Sequence, residues 1–185
     1  RPDACAAKTQ LPAMIETLRI ADTLIGIAPI PAGERGTRRE RERAAVQAIA
    51  DQLLGADAAI GHDEHGAPTI PNGYISVSHS RSQAAVAINA NTRIGIDAEE
   101  WRDALRRISP RFLSEAETQW ASDEQLLTLW TIKEAVYKAA ADHKLLLTAI
   151  ESSPNLATAS ANGRQYDLHT FTAHADTITL AIAQP

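Results

Sequence analysis

Three short apolar segments in the middle of the chain leave little freedom in how it can fold. Residues 74–78, 84–88 and 93–99 are each too brief for a stable helix and rich enough in Ile and Val to be strands. Asn89 and Asn91 suit a turn between the last two. Alternate residues of a strand face opposite sides. Ile75 and Val77 therefore share one face and Ser76 and Ser78 the other. Likewise Ile94, Ile96 and Ala98 share a face, which leaves Asp97 and Glu99 together on the opposite one. A further strand is expected over 24–28, ended by Pro29 and Pro31, and a closing hairpin over 166–172 and 177–183 with His174, Ala175 and Asp176 in its turn. Gly163 marks an earlier turn, and the Gly, Pro, Asn and His of 61–73 a loop.

Helices are expected between these strands. Over 37–54, Ala45, Val46, Ile49, Leu53 and Leu54 form an apolar stripe, and Gly55 is a suitable stop. Residues 1–22 are open to more than one reading, a short helix over 11–20 among them, and a short helix is expected over 101–108, stopped by Pro110. Ser114 with Glu117 has the spacing of a capping box, and the longest helix is expected over 123–141. Helices and antiparallel strands in each half read as an α+β fold. At 185 residues the chain is one domain or two small lobes sharing a core.

Four groups of residues carry possible chemistry. Asp97 and Glu99 repel unless a cation or proton lies between them, and Mg²⁺ takes such hard oxygen ligands. An isolated D-x-E is more often a strand emerging into water. In "WTIKEAVYKAA" (130–140), Trp130, Glu134 and Lys138 recur every four residues and share a helical face. That pattern supplies a third carboxylate and a phosphate-binding ammonium, or an ordinary surface pair worth about 0.2–0.5 kcal/mol. In "ISVSHS" (75–80), Ser78 and His79 at a strand end suit a phosphate, or simply solvent; the G-x-S-x-G of a serine hydrolase is absent. Five basic residues fall between Arg35 and Arg43. Arg35, Arg39 and Arg43 share a face that Arg38 flanks, while Glu34, Glu40 and Glu42 argue equally for a solvated surface.

Composition narrows the function classes. The net charge of −5 excludes a general polyanion binder, and 4% aromatic residues give little for base stacking. His62 and His65 form H-x-x-H with no third ligand cluster nearby. The single cysteine, Cys5, builds no disulfide framework and suits a reducing compartment, so a cytoplasmic protein is expected. No apolar run is long enough to cross a membrane. The start at Arg1 suggests a processed or trimmed chain.

Taken in order, "GAP" (66–68), "ISVSHS" (75–80), "IGIDAE" (94–99), "FLSEAE" (112–117) and "WTIKEAVYKAA" (130–140) make the chain resemble the 4′-phosphopantetheinyl transferase superfamily, in its monomeric Sfp-like branch. The resemblance implies two similar α+β lobes related by a pseudo-twofold axis. A reduced N-terminal lobe would span 1–92, and a C-terminal lobe carrying the metal-binding carboxylates 93–185. The active site would lie between the lobes. It implies transfer of the phosphopantetheine arm of coenzyme A to a serine of an apo acyl or peptidyl carrier protein, with release of adenosine 3′,5′-bisphosphate. Asp97, Glu99 and Glu134 would hold Mg²⁺ (Mn²⁺ is possible), and Lys138 would meet the pyrophosphate. Ser78, His79, Lys138 and Lys133 would contact coenzyme A. Glu117 or Glu134 would take the serine's proton.

Two departures accompany the resemblance. Ala67 replaces the lysine of G-K-P, a charge that Arg38, Arg39 or Arg43 would have to supply. "HKLLLT" (143–148) replaces a glycine-rich turn, although Lys144 keeps its charge. Arg102, Arg106 and Arg107 are the expected docking patch for an acidic carrier, or equally a solvated helix face. The rival functions are a catalytically degenerate coenzyme A or carrier-binding module and a Mg²⁺-dependent nucleotide pyrophosphate hydrolase.

Overall fold

In the computed structural model, residues 14–33 and 36–185 are described; Cys5 and Arg35 lie outside them. The first half forms a four-stranded antiparallel sheet from β1 (Glu16–Ile20), β2 (Thr23–Pro29), β5 (Tyr74–His79) and β6 (Gln83–Asn89), in the order β1-β2-β6-β5. Helix α1 (Arg38–Leu54) follows β2, and β3 (Gly61–His62) and β4 (Pro68–Thr69) form a small ladder inside the expected loop. The second half contributes β7 (Ile94–Glu99), α2 (Ala104–Ile108), α3 (Leu126–Ala140), β8 (Glu151–Ser152), β9 (Thr158–Ala161), β10 (Arg164–Ala173) and β11 (Asp176–Ala183). Its five strands run in the order β7-β11-β10-β9-β8. The fold is α+β.

Strand alternation decides what each sheet buries. Ile25, Ile27, Ala85 and Ala87 pack into one core with Ile94, Ile96, Ala98, Ile178 and Leu180 of the second sheet. The intervening residues Ala84, Val86 and Ile88 pack with Ile49 of α1. In the second half Ala181 and Ala183 pack with Ile132, Ala135, Val136 and Ala139 of α3. Each sheet thus has a helix on one face and shares a core with the other sheet. Fully burying a side chain such as Ile96 is worth about 1.5–3 kcal/mol.

One expected element changes type. Instead of a helix over 11–20, Glu16–Ile20 is a strand, paired antiparallel with β2, and residues 11–13 lie outside the described part. The alternate residues Leu18 and Ile20 pack on the inter-sheet core, which rewards a period of two over a helical period. Strands β8 and β9 fall where none was expected; β9 joins β10 through Asn162 and Gly163, both at positive φ (51° and 75°). Thr37 caps α1 in a reciprocal capping box with Glu40. Ser114 and Glu117 also form such a box, but only a single helical turn, Glu117–Gln119, follows it.

Gly95 fixes how near α3 can come to β7. A Cβ there would stand 1.9 Å from the carbonyl oxygen of Ala135 and 2.7 Å from the Ala139 nitrogen. Both obstacles are backbone, so no side-chain rotation relieves them. Gly95→Ala is expected to push α3 outward and cost about 1–3 kcal/mol, read as a lower urea midpoint at unchanged m-value.

Candidate active site

The close approach of α3 brings its Trp130, Glu134 and Lys138 face against the Asp97 and Glu99 face of β7. The bland expectation for Asp97, a strand end running into water, does not hold: it is 5% exposed. Its Oδ1 accepts from the Ser78 hydroxyl at 2.8 Å and from Lys138 Nζ at 2.8 Å, while its Oδ2 is buried without a hydrogen-bond partner. Lys138 Nζ also donates to the Ile96 carbonyl at 2.9 Å. An ammonium has three donors, so one remains. The helical pair of Glu134 with Lys138 does not form among the described salt bridges; Lys138 reaches across to the strand instead.

Glu134 has no hydrogen bond or ion pair among the described residues. Burial pushes its carboxyl above the usual range, and the charge of Asp97 adds to this; Lys138 opposes, Glu99 raises it again and Arg102 lowers it. Glu99 is also pushed up, by burial first and by Asp97. Arg102, 3.2 Å from Glu99, offsets part of that. The indole N–H of Trp130 is buried beside Glu99 without a full hydrogen-bond partner. Among the described residues the three carboxylates do not stand close enough to form a finished metal cage. The Asp97 charge nonetheless reaches both Glu99 and Glu134, and Lys138 and Arg102 together carry one charge fewer than three ionised carboxylates.

These residues fit a divalent cation on observations of their own. One buried carboxylate oxygen is orphaned, and two neighbouring acids are held above their ordinary range by burial first and by the charge of Asp97. A hard cation taking two or three carboxylates would relieve both conditions.

The sequence model of the 4′-phosphopantetheinyl transferase superfamily matches residues 93–178, which contain Asp97, Glu99, Glu134 and Lys138. Over that stretch the chain is similar to this superfamily. No curated protein matches the sequence.

Lys133 and Glu117, two other residues of the superfamily-like motifs, are not part of this group. They are 0% and 1% exposed and pair with each other at 2.6 Å. Glu117 also accepts from the amides of Ser114 at 2.7 Å and Ser152 at 2.8 Å. Lys133 donates to the carbonyl of Ile150. Burial raises the Glu117 carboxyl, but hydrogen bonds from Lys133, Ser114 and Ser152 and the Lys133 charge outweigh it and hold the group below its ordinary value. Burial pulls the Lys133 ammonium down, against Glu117. The three backbone groups bonded to the pair, the Ser114 and Ser152 amides and the Ile150 carbonyl, favour its charged form. This placement corrects two expectations. A sealed Glu117 cannot take a proton from a carrier serine, and a sealed Lys133 cannot reach coenzyme A. The spacing of "FLSEAE" carried the signal, since a capping-box acid turns back on its own backbone.

Ser78 is also turned inward. It is 8% exposed, and its one proton goes to Asp97 while its oxygen accepts from the Ala98 amide at 3.2 Å. This differs from the expected contact with a coenzyme phosphate. His79 remains exposed, 3.7 Å from Glu42, which also takes Arg38 at 2.6 Å.

Two cavities meet at the Gly66–Pro68 turn. One, of about 770 Å³, lies between the halves and is lined by Ala67, Tyr74, Ser76, Arg93, Lys138 and His143, among others. The rings of His65 and His143 stand 3.9 Å apart at this cavity, linking loops from the two halves. The second, of about 610 Å³, is lined by Arg39, Arg43, His62, Val77 and His79, among others. Arg38 stays outside it, bonded to Glu42 and, at 3.1 Å, to the Ser80 carbonyl. His62 and His65 thus line different cavities.

The expected docking arginines are exposed beside the site. Arg102 holds Glu99 and lies 5.8 Å from the Trp130 ring. Arg106 pairs with Asp103 at 3.4 Å and Asp123 at 2.7 Å and lies 5.0 Å from the Trp101 ring. Arg107 is exposed. No helix among the described residues is long and apolar enough to cross a membrane.

Proposed function

We propose that this protein is a 4′-phosphopantetheinyl transferase that moves the phosphopantetheine arm of coenzyme A to a serine of an apo acyl or peptidyl carrier protein. The observation that carries this reading is the meeting of Asp97, Glu99, Glu134 and Lys138 across β7 and α3, inside the segment that the superfamily's sequence model matches. Asp97, Glu99 and Glu134 would hold Mg²⁺, or Mn²⁺ in its place. When bound, the ion would neutralise pyrophosphate oxygens.

The protein's own groups do the rest. Lys138 has a free donor and lines the larger cavity, where it would meet the pyrophosphate. Arg39, Arg43 and His79 gather cationic or donor groups in the adjoining cavity and would replace the charge missing at Ala67. The carrier serine oxygen would attack the pantetheine-side phosphorus, and the phosphorus–oxygen bond to adenosine 3′,5′-bisphosphate would break. The serine proton would go to Glu134, directly or through a water. Arg102, Arg106 and Arg107 would meet an acidic carrier surface.

The two sheets, each with its own helix, support lobes spanning 1–92 and 93–185 related by a pseudo-twofold axis. Gly26 supports the same reading, since it faces α1 as Gly95 faces α3, although a Cβ there would meet a side-chain atom, Ile49 Cγ2 at 2.3 Å, and not backbone. A monomer working in the cytoplasm completes the proposal.

The test is mass spectrometry of an apo-carrier protein incubated with the protein, coenzyme A and Mg²⁺. The expected result is a carrier heavier by one phosphopantetheine arm. Coenzyme A binding with no mass gain would favour a binding module, and coenzyme A cleavage without carrier a hydrolase; either would overturn the transferase.

A further inference from the structure

β5 and β7 are edge strands of different sheets, and two serine side chains join them. Ser76 Oγ accepts from the Ile96 amide at 2.9 Å, and Ser78 Oγ from the Ala98 amide at 3.2 Å. The two serines face the same way along β5, two residues apart, and both are buried. Their second bonds differ. Only the Ser78 hydroxyl reaches a carboxylate, at 2.8 Å from Asp97 Oδ1.

A hydroxyl has one proton. Because Ser78 Oγ already accepts from Ala98, its proton is aimed away from β7's backbone and toward Asp97. Lys138 approaches the same carboxylate oxygen. Two donors on Oδ1 fix the carboxylate's rotation about its terminal torsion, which is otherwise soft. They also leave Oδ2 as the oxygen with open lone pairs, buried and unpartnered.

We infer that Ser78 is a positioning residue: it holds Asp97 so that Oδ2 is presented to the divalent ion, and it ties that presentation to the N-terminal half of the chain. The inference rests on the proposed transferase site. Outer partners of metal-bound carboxylates commonly contribute about 10–100-fold in metal affinity. Lys138 alone leaves the carboxylate held by a flexible side chain. Ser78 holds it by a short one, itself anchored at both ends.

Ser76 supplies the control. Ser76→Ala removes a seam bond of the same kind without touching Asp97. Mn²⁺ binding is measured by electron paramagnetic resonance with coenzyme A present and carrier absent, on wild type, Asp97→Asn, Ser76→Ala, Ser78→Ala and Ser78→Thr. Ser78→Ala is expected to weaken Mn²⁺ binding about 10–100-fold. Ser78→Thr, which keeps the hydroxyl, should recover most of the loss, and Ser76→Ala should stay within about threefold of wild type, under 1 kcal/mol. Thermal unfolding verifies that the variants are folded. Should Ser78→Ala unfold, Ser78→Cys keeps the bulk with a much weaker donor and should show a partial loss.

Ser78→Ala or Ser78→Cys binding Mn²⁺ like wild type overturns the inference and leaves the transferase reading intact. Equal losses in Ser76→Ala and Ser78→Ala also overturn it, because the seam alone would then matter. No Mn²⁺ binding in wild type, or binding unchanged in Asp97→Asn, overturns the site itself.

Discussion

Lys133→Met is expected to destabilise the protein by about 3–5 kcal/mol, the usual cost of leaving one member of a buried ion pair uncompensated. That is a large part of the 5–15 kcal/mol by which ordinary domains are stable. Glu117 would remain buried with only the Ser114 and Ser152 amides to hold its charge. Adding Glu117→Gln removes that charge and keeps an acceptor oxygen, so the double variant should recover more than half of the loss. Urea denaturation at neutral pH measures both. A Lys133→Met variant as stable as wild type would show that the pair contributes nothing. The pH dependence has a definite sign. Glu117 is held below its ordinary value in the folded protein. Its contribution is therefore present above the unfolded carboxylate range and lost as pH falls through the folded value. Without Lys133, burial dominates and that acid-side loss should shrink or reverse.

The same pair shows why the site was only partly legible in the sequence. A spacing of four put Glu134 and Lys138 on one helical face, and strand alternation put Asp97 and Glu99 on one sheet face. The meeting of those faces needed only that α3 pack on β7, which Gly95 permits. Lys133, one residue before Glu134, points to a different surface of the helix. Whether that surface meets solvent or core depends on the loop over 112–122 and on β8, which carry little periodic signal. Charge type and motif membership therefore suggested Glu117 and Lys133 for the site, while tertiary burial removed them from it.

The fold was readable where local pattern and burial agree. Alternating Ile75, Val77, Ile94 and Ile96 and the apolar stripe of α1 are repetitive enough to survive any packing. β1 was misread because Leu18 and Ile20 are two apart within a stretch whose other apolar residues also suit a helix. Pairing with β2 and contact with the inter-sheet core decide between the two periods. Ser78 was misread for a related reason. A serine beside a histidine at a strand end suits a phosphate equally well in sequence. Only the arrival of β7 along the β5 edge turns the hydroxyl inward.

Glu134→Gln is expected to abolish measurable transfer, a loss of at least about 10²–10³-fold, and at the same time to raise the melting temperature of the metal-free protein. The first effect follows if Glu134 both holds the ion and takes the serine's proton, since removing one preorganised electrostatic group from such a site commonly costs that much. The second follows from the site's electrostatics without the ion. Burial and the charges of Asp97 and Glu99 hold the Glu134 carboxyl above its ordinary range. A carboxyl raised in the folded state binds its proton more tightly there than in the unfolded chain. The metal-free protein therefore loses stability as pH rises from the unfolded carboxylate value through the folded one. Glutamine keeps the shape and removes the charge, so that loss should diminish. For a chain of this size each kcal/mol moves the melting temperature by about 2–4 °C, and a rise of that order at neutral pH, fading toward pH 4, is the expected record. Mg²⁺ should reverse the ranking, stabilising wild type and leaving Glu134→Gln nearly unchanged. A glutamine variant that is less stable without metal and still active would mean that Glu134 serves the core and not the chemistry.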